Sequence, residues 1–214
     1  MKLEDVEGYL LDNHSGTTDE QRLATLKREI SALLERKVAG AFVEVGCYRG
    51  ATAAYLRALL DLAGEESRPI HVYDSFEGLP EPDTIDGTHL AAGSIRSCQD
   101  DVIALHRELG LAAPIIHSGW FHDTLPAELP DTIAFGYLDG DFYESILTSL
   151  RHCVPNLAPG GLLIVDDYAD VESNPAAWNG LPGVLAACEA YFGRARPLEV
   201  LPGSGDLAFG AYRT

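Results

Sequence analysis

The stretch FGYLDGDFYESIL, residues 135–147, decides the fold. An apolar run ends at Leu138, breaks into Asp139-Gly140-Asp141, and passes at Tyr143 into a segment with helical periodicity. A strand running straight into a helix is the repeating unit of a parallel sheet covered on both faces. That unit needs no carboxylates. Two of them around a glycine raise the question of what the strand end holds.

The same alternation recurs on both sides of this stretch. Upstream lie AFVEVG (41–46) with a helix over 52–64, then IHVYDS (70–75), a helix from Ser97 to Gly110 and PIIHSGW (114–120). The central strand itself reads as TIAFGYLDG (132–140), followed by a helix from Tyr143 to Leu157. Downstream come GLLIVDDY (161–168), a helix near 183–192, and PLEVLPGSGDLAFGAYR (197–213), which reads as two strands around a Gly-rich turn. Residues 76–93, rich in Gly, Pro and Asp, read as a loop or lid. Before the first strand, Leu23, Leu26, Ile30, Leu33 and Leu34 mark one face of a helix over 20–36. The pattern predicts an α/β chain: a doubly wound, mostly parallel, seven-stranded sheet with a C-terminal antiparallel hairpin. Residues 1–40 form a helical extension and 41–214 the main domain.

Charge narrows the partners. The chain of 214 residues carries 33 acidic and 15 basic side chains, a net charge of −18. Such a field disfavours nucleic acid and anionic membrane and tolerates divalent cations. No apolar run reaches the roughly 18 residues of a membrane span, and the acidic N-terminus does not read as a secretory signal. The four cysteines, Cys47, Cys98, Cys153 and Cys188, have neither zinc-site nor disulfide spacing, so a reducing cytoplasm is expected. Cys153 and Cys188 fall on apolar helix faces and read as core.

In an open sheet of this kind, ligands bind beyond the carboxyl ends of the strands. The first strand ends Glu44-Val45-Gly46-Cys47-Tyr48-Arg49-Gly50-Ala51-Thr52. Gly46 and Gly50 allow close backbone approach to a ligand, or a plain strand-to-helix turn. The spacing is not GxGxxG, which argues against a dinucleotide. The second strand ends in Asp74-Ser75, where an acid can accept both hydroxyls of a ribose or cap a turn. Glu44 and Asp74 together suit a nucleoside ligand carrying positive charge, and S-adenosylmethionine fits that description. Gly119-Trp120-Phe121 offers a flat slot for adenine, or core aromatics. Asp139 and the pair Asp166-Asp167 end two strands that lie about 4.8 Å apart if adjacent. Carboxylates that close repel one another, and a hard cation such as Mg²⁺ relieves the repulsion. Asp139, Asp166 and Asp167 are therefore the expected metal ligands. Asp141 remains for proton transfer, or as a helix N-cap.

These residues resemble the macrocin O-methyltransferase (TylF-type) family. The matching pieces are EVGCYRGATA, YDSFEGLPEP, GWFHDTLP, LDGDFYES and PGGLLIVDDY, and they span most of residues 41–168. The first piece is also similar to the cofactor motif of catechol-type O-methyltransferases. Ala51 stands where the family often has a second glycine. The resemblance implies an S-adenosylmethionine- and Mg²⁺-dependent transfer of methyl to a hydroxyl of a sugar or glycosylated natural product. Glu44, Gly46 and Tyr48 would line the methionine part, with Thr52 and Asp139 also against the cofactor. Asp74 and Ser75 would take the ribose, and Gly119, Trp120 and Phe121 the adenine side. Asp139, Asp166 and Asp167 would bind the ion, and Asp141 would be the base. It implies a small-molecule acceptor and a homo-oligomer, for which helix 20–36 could supply an interface.

Within the lid, Asp86 and His89 are acceptor-site candidates, and His89 is first among the histidines for a second base. His71, His106, His117 and His122 read as structural or exposed. Alternatives are an aromatic-diol methyltransferase, a non-catalytic cofactor-binding domain, and, disfavoured by the missing GxGxxG, a nicotinamide-dependent oxidoreductase.

Overall fold

The computed structural model describes residues 2–203 and 206–214. Two helices, α1 (Leu3–Asn13) and α2 (Glu20–Glu35), precede β1 (Ala41–Val45), α3 (Ala51–Leu62) and β2 (Ile70–Asp74). Then follow α4 (Gln99–Glu108), β3 (Ile115–Ser118), α5 (Phe121–Glu128), β4 (Ile133–Leu138) and α6 (Tyr143–Cys153). The chain continues through β5 (Leu157–Val165), α7 (Pro182–Phe192), β6 (Glu199–Val200) and β7 (Gly210–Arg213). The seven strands form one sheet in the order β3-β2-β1-β4-β5-β7-β6. Strands β1 to β5 run parallel, and β7 pairs antiparallel with both β5 and β6. The expected closing hairpin is therefore present. Ser204 and Gly205, in its Gly-rich turn, lie outside the described residues.

Strand alternation assigns side chains to two cores. Phe42, Val72, Phe135 and Leu162 meet α1 to α4 through Leu10, Ile30, Tyr55, Leu56 and Val102. Their neighbours Val43, Leu138, Leu163 and Val165 face α5 to α7, meeting Leu125, Ile146, Leu150 and Val184. Each fully buried Leu or Ile contributes about 1.5–3 kcal/mol. Residues 2–40 share the first core with the sheet; Leu3, Val6 and Leu10 of α1 are buried in it. Cys153 and Cys188 are packed in the second core, as their spacing predicts. All four cysteines are free thiols. Among the described residues, no helix is long and apolar enough to cross a membrane.

Several boundaries differ from expectation. Helix α6 stops at Cys153, because Pro155 turns the chain into a short 3-10 segment, Val154–Asn156. Strand β5 starts at Leu157, through Pro159, Gly160 and Gly161, with an irregular register against β4. Helices α1 and α5 were not foreseen; α5 is short and contains Pro126.

Candidate active site

The order of the sheet reverses between β1 and β4, and a crevice opens there at the carboxyl ends. Backbone hydrogen bonds continue the ladders one residue past the strands. Gly46 N–H donates to Tyr73 O at 2.8 Å, Asp139 N–H to Val45 O at 2.8 Å, and Asp166 N–H to Leu138 O at 2.9 Å. Gly119 N–H donates to Asp74 O at 2.9 Å. These bonds line up Gly119, Asp74, Gly46, Asp139 and Asp166 along one rim. The next turns are unusual: Tyr48 (φ 48°), Phe76 (φ 57°), Asp141 (φ 58°) and Asp167 (φ 53°) are all left-handed. Each costs roughly 1–2 kcal/mol without glycine's freedom, and such strain gathers at functional sites.

A cavity of about 920 Å³ lies over this rim, at the upper end of ligand-site sizes. Every residue foreseen as a cofactor, metal or base position lines it except Gly119, and of the two acceptor-site candidates His89 lines it and Asp86 does not. Gly46 is essential to the approach of β1 and β4. Its φ is +89°, and an added Cβ would lie 1.8 Å from the Asp139 carbonyl oxygen. Gly46→Ala is expected to cost roughly 2–5 kcal/mol from strain and overpacking together. Urea unfolding checks it, and cofactor binding is expected to be lost with it.

Asp74 serves as a brace whatever else it holds. Its carboxylate accepts the N–H groups of Cys47 (3.0 Å), Tyr48 (2.8 Å) and Phe76 (2.8 Å). Ser75 donates to Gly78 O and accepts from Glu77 N–H, shaping the first turn of the lid. Glu44 is only 2% exposed, and its Oε2 has no hydrogen-bond partner. Burial first, then the Asp74 charge, pushes its carboxyl up to about 8, against the pull of Thr52 and the Ala53 N–H. An unused carboxylate oxygen, open backbone at Gly46 and a flat Trp120-Phe121 edge fit the ammonium, sulfonium and adenine of S-adenosylmethionine.

Asp139, Asp166 and Asp167 each bring a carboxylate oxygen within 4.8 Å of the others. Burial, then the charges of Asp166, Asp141 and Asp167, drives Asp139 well above the usual carboxylate range. Burial, then Asp166, does the same to Asp167. Three hard oxygen donors under that repulsion fit a divalent cation such as Mg²⁺. Asp141 lies on the same wall, raised to about 7 by burial, then by Asp166 and Asp74.

Three features escaped the sequence. Although no basic residue lies near these acids along the chain, Arg22 of α2 reaches them across the fold. It pairs with Asp166 Oδ2 through Nη1, and its Nη2 lies 3.8 Å from Asp167 Oδ1. The Tyr137 hydroxyl donates to the same Asp166 oxygen at 2.6 Å. Second, Asp141 is not the helix cap: Asp86 of the lid accepts the Tyr143 N–H at 2.6 Å. Third, Asp86 is therefore not an acceptor contact. It is 3% exposed and outside the cavity lining, and Gly183 of α7 leaves the space it fills. Asp86→Ala is expected to destabilise the fold by about 1–2 kcal/mol and to speed hydrogen exchange in the lid.

Of the histidines, His89 lines the cavity against Trp178. His122 is exposed but at the cavity mouth. His106 is buried against Val102 O. His71 and His117 hydrogen-bond each other, and His117 meets Glu128.

A crossed-over parallel sheet with an acid-edged cofactor crevice at its reversal point defines a class I methyltransferase fold. The family model for macrocin-O-methyltransferase (TylF) matches residues 13–181, and the chain belongs to that family. Over 168 residues it is 36% identical to an 8-demethyl-8-(2,3-dimethoxy-alpha-L-rhamnosyl)-tetracenomycin-C 4'-O-methyltransferase of Streptomyces olivaceus, covering 70% of this chain and 60% of that protein. It is 31% identical over 157 residues to a demethyldecarbamoylnovobiocin O-methyltransferase of Streptomyces niveus, covering 69% and 60%. The matches thus span about 60% of the length of these curated relatives. Among solved structures, the O-methyltransferase NovP superposes with a TM-score of 0.71 at 27% identity, over 90% of this chain and 79% of that one. The calicheamicin methyltransferase CalS11 gives 0.70 at 22% identity, over 99% and 91%, a likeness of fold.

Proposed function

We propose that this chain is an S-adenosylmethionine- and Mg²⁺-dependent O-methyltransferase acting on a sugar hydroxyl of a glycosylated natural product. The observation that carries the reading is the convergence of Asp139, Asp166 and Asp167 beside the crevice of Glu44, Gly46 and Asp74. Family membership supports it, as do relatives named for methylating a rhamnosyl-tetracenomycin and a novobiocin precursor. These names favour a sugar over a free aromatic diol as acceptor.

When bound, the cofactor supplies an electrophilic methyl group, and the ion supplies a charge that acidifies the acceptor hydroxyl. Glu44, Gly46 and Tyr48 would hold the methionine part, Asp74 and Ser75 the ribose, and Trp120 and Phe121 the adenine. Asp139, Asp166 and Asp167 would hold the ion. Asp141 would take the hydroxyl proton as the acceptor oxygen gains the methyl carbon and the carbon–sulfur bond breaks. Arg22 and Tyr137 fix the Asp166 carboxylate in one orientation. The lid, latched by Asp86 onto α6, would exclude water from the rim once both ligands are bound. A cytoplasmic location and a homo-oligomeric state belong to the same proposal. The test is methyl transfer to a glycoside panel with and without Mg²⁺. Transfer is expected only with the ion; no transfer to any glycoside would overturn the reading.

Glu44 gives this reading a pH signature. Its folded pKa of about 8 exceeds the ordinary 4.5, so the unfolded chain releases this proton first as pH rises. Stability present below pH 4.5 is lost progressively up to about pH 8, by on the order of 5 kcal/mol for this group. Glu44→Gln is expected to flatten that slope in thermal unfolding of the free protein. A cationic cofactor favours the ionised form. Calorimetry at pH 7 in buffers of different ionisation enthalpy is therefore expected to show proton release on cofactor binding, absent in Glu44→Gln.

A further inference from the structure

The acceptor side of the cavity holds an indole that the methyl-transfer chemistry does not use. Trp178 lies in the segment between β5 and α7, lines the cavity, and stays 38% exposed. Single exposed aromatics are ordinary on a surface, so the case for this one rests on how it is held. Its position is built. Gly180 has no side chain where a Cβ would fall 1.9 Å from the indole Cζ2, so the ring lies against bare backbone. The His89 ring of the lid packs on it edgewise, with centroids 4.7 Å apart and planes at 72°. This pair joins the two segments that flank the cavity mouth. Leu79, Leu90 and Ile95 also line the cavity.

We infer that Trp178, braced by His89, is the seat for the apolar aglycone of the acceptor; the inference rests on the glycoside reading above. The lining combines the acid set Asp139, Asp141, Asp166 and Asp167 with apolar side chains that include Leu79, Leu90 and Trp178. A sugar held at the acid rim would project its aglycone toward the indole and the leucines. Charge argues against the other form in which a cell carries an activated sugar, a nucleoside diphosphate conjugate. The rim is acidic, Glu81 and Glu144 also line the cavity, and of its two arginines Arg22 is engaged with Asp166 and Asp167 while Arg49 lies over the Tyr48 ring. A diphosphate would meet net negative charge there. Methyl transfer by this chain would therefore follow the glycosyl transfer that joins sugar to aglycone.

The test uses the full chain loaded with Mg²⁺ and S-adenosylhomocysteine, and calorimetry with three probes: p-nitrophenyl α-L-rhamnoside, methyl α-L-rhamnoside and thymidine diphosphate-rhamnose. The aryl glycoside is expected to bind at least tenfold tighter than the methyl glycoside. In Trp178→Ala that ratio is expected to fall below about twofold, while Trp178→Phe keeps part of it. Kd for S-adenosylhomocysteine is expected to stay within twofold in both variants, which shows that the fold is intact. Turnover with S-adenosylmethionine is expected to show the same loss in KM for the aryl glycoside with little change in kcat. An equal loss for both glycosides in Trp178→Ala, no aryl preference in the wild type, or tightest binding of the nucleotide sugar would overturn the seat. If methyl rhamnoside is methylated without aryl preference, the glycoside reading stands and the seat falls. If no glycoside binds or reacts, both fall.

Discussion

Asp141→Asn is expected to lower kcat by roughly 10²–10⁴-fold, the usual contribution of a positioned general base. Binding of cofactor and divalent ion is expected to stay within a fewfold of wild type. The amide keeps the size of the carboxyl but cannot take a proton. Asp141 is held in a left-handed turn, and it does not cap α6, because Asp86 does. The substitution therefore removes a proton acceptor without removing a cap. Single-turnover kinetics with calorimetry of both ligands separates the two effects. A loss that appears entirely in cofactor affinity would take the base role away from Asp141.

The second large effect has opposite signs in stability and function. Asp139→Asn and Asp167→Asn are each expected to weaken divalent binding by at least about 100-fold, because a carboxylate donor is replaced by a weaker neutral one. In EDTA the same variants are expected to be more stable than wild type at pH 8. Both carboxyls are raised well above their usual range, first by burial and then by the neighbouring acids, so their ionisation opposes the free fold. An amide carries no such charge, and a gain on the order of 1–2 kcal/mol follows. Saturating Mg²⁺ is expected to reverse the order, since only the wild type gains the linkage energy. Asp166→Ala behaves differently. It leaves the Tyr137 hydroxyl without its acceptor and Arg22 with only the longer contacts to Asp19 and Asp167, so it destabilises the fold by about 1–3 kcal/mol with or without metal. Thermal unfolding of the three variants with EDTA and with Mg²⁺ checks all of these signs.

The strand ends were legible because their acids break a local rule. An apolar run that ends in acids, as at Leu138-Asp139 or Val165-Asp166-Asp167, has no use for them in packing. The mostly parallel sheet and the antiparallel closing strand followed from strand–helix alternation, whereas the order of the strands came only with the structure. Arg22 was not legible. It reaches the acids from α2 through the tertiary fold, and nothing in the spacing of that helix marks one arginine over another. The same holds for Asp86, which reads as one of several loop acids until packing brings it to the N-terminus of α6. Helix α5 was hidden by Pro126, which it tolerates inside its eight residues. The start of β5 was hidden by Pro159-Gly160-Gly161, a sequence that reads as a turn. Trp178 gave no periodic signal, because it sits in an irregular segment and is fixed by Gly180 rather than by a helix or strand.

Titration of the metal-free chain with Mn²⁺, followed by electron paramagnetic resonance, tests the acid rim most directly. One ion per chain is predicted, displaced by Mg²⁺ and lost in Asp139→Asn and Asp167→Asn, with methyl transfer abolished by EDTA and restored by Mg²⁺. Full transfer in EDTA, or ion binding indifferent to those two substitutions, would contradict the account.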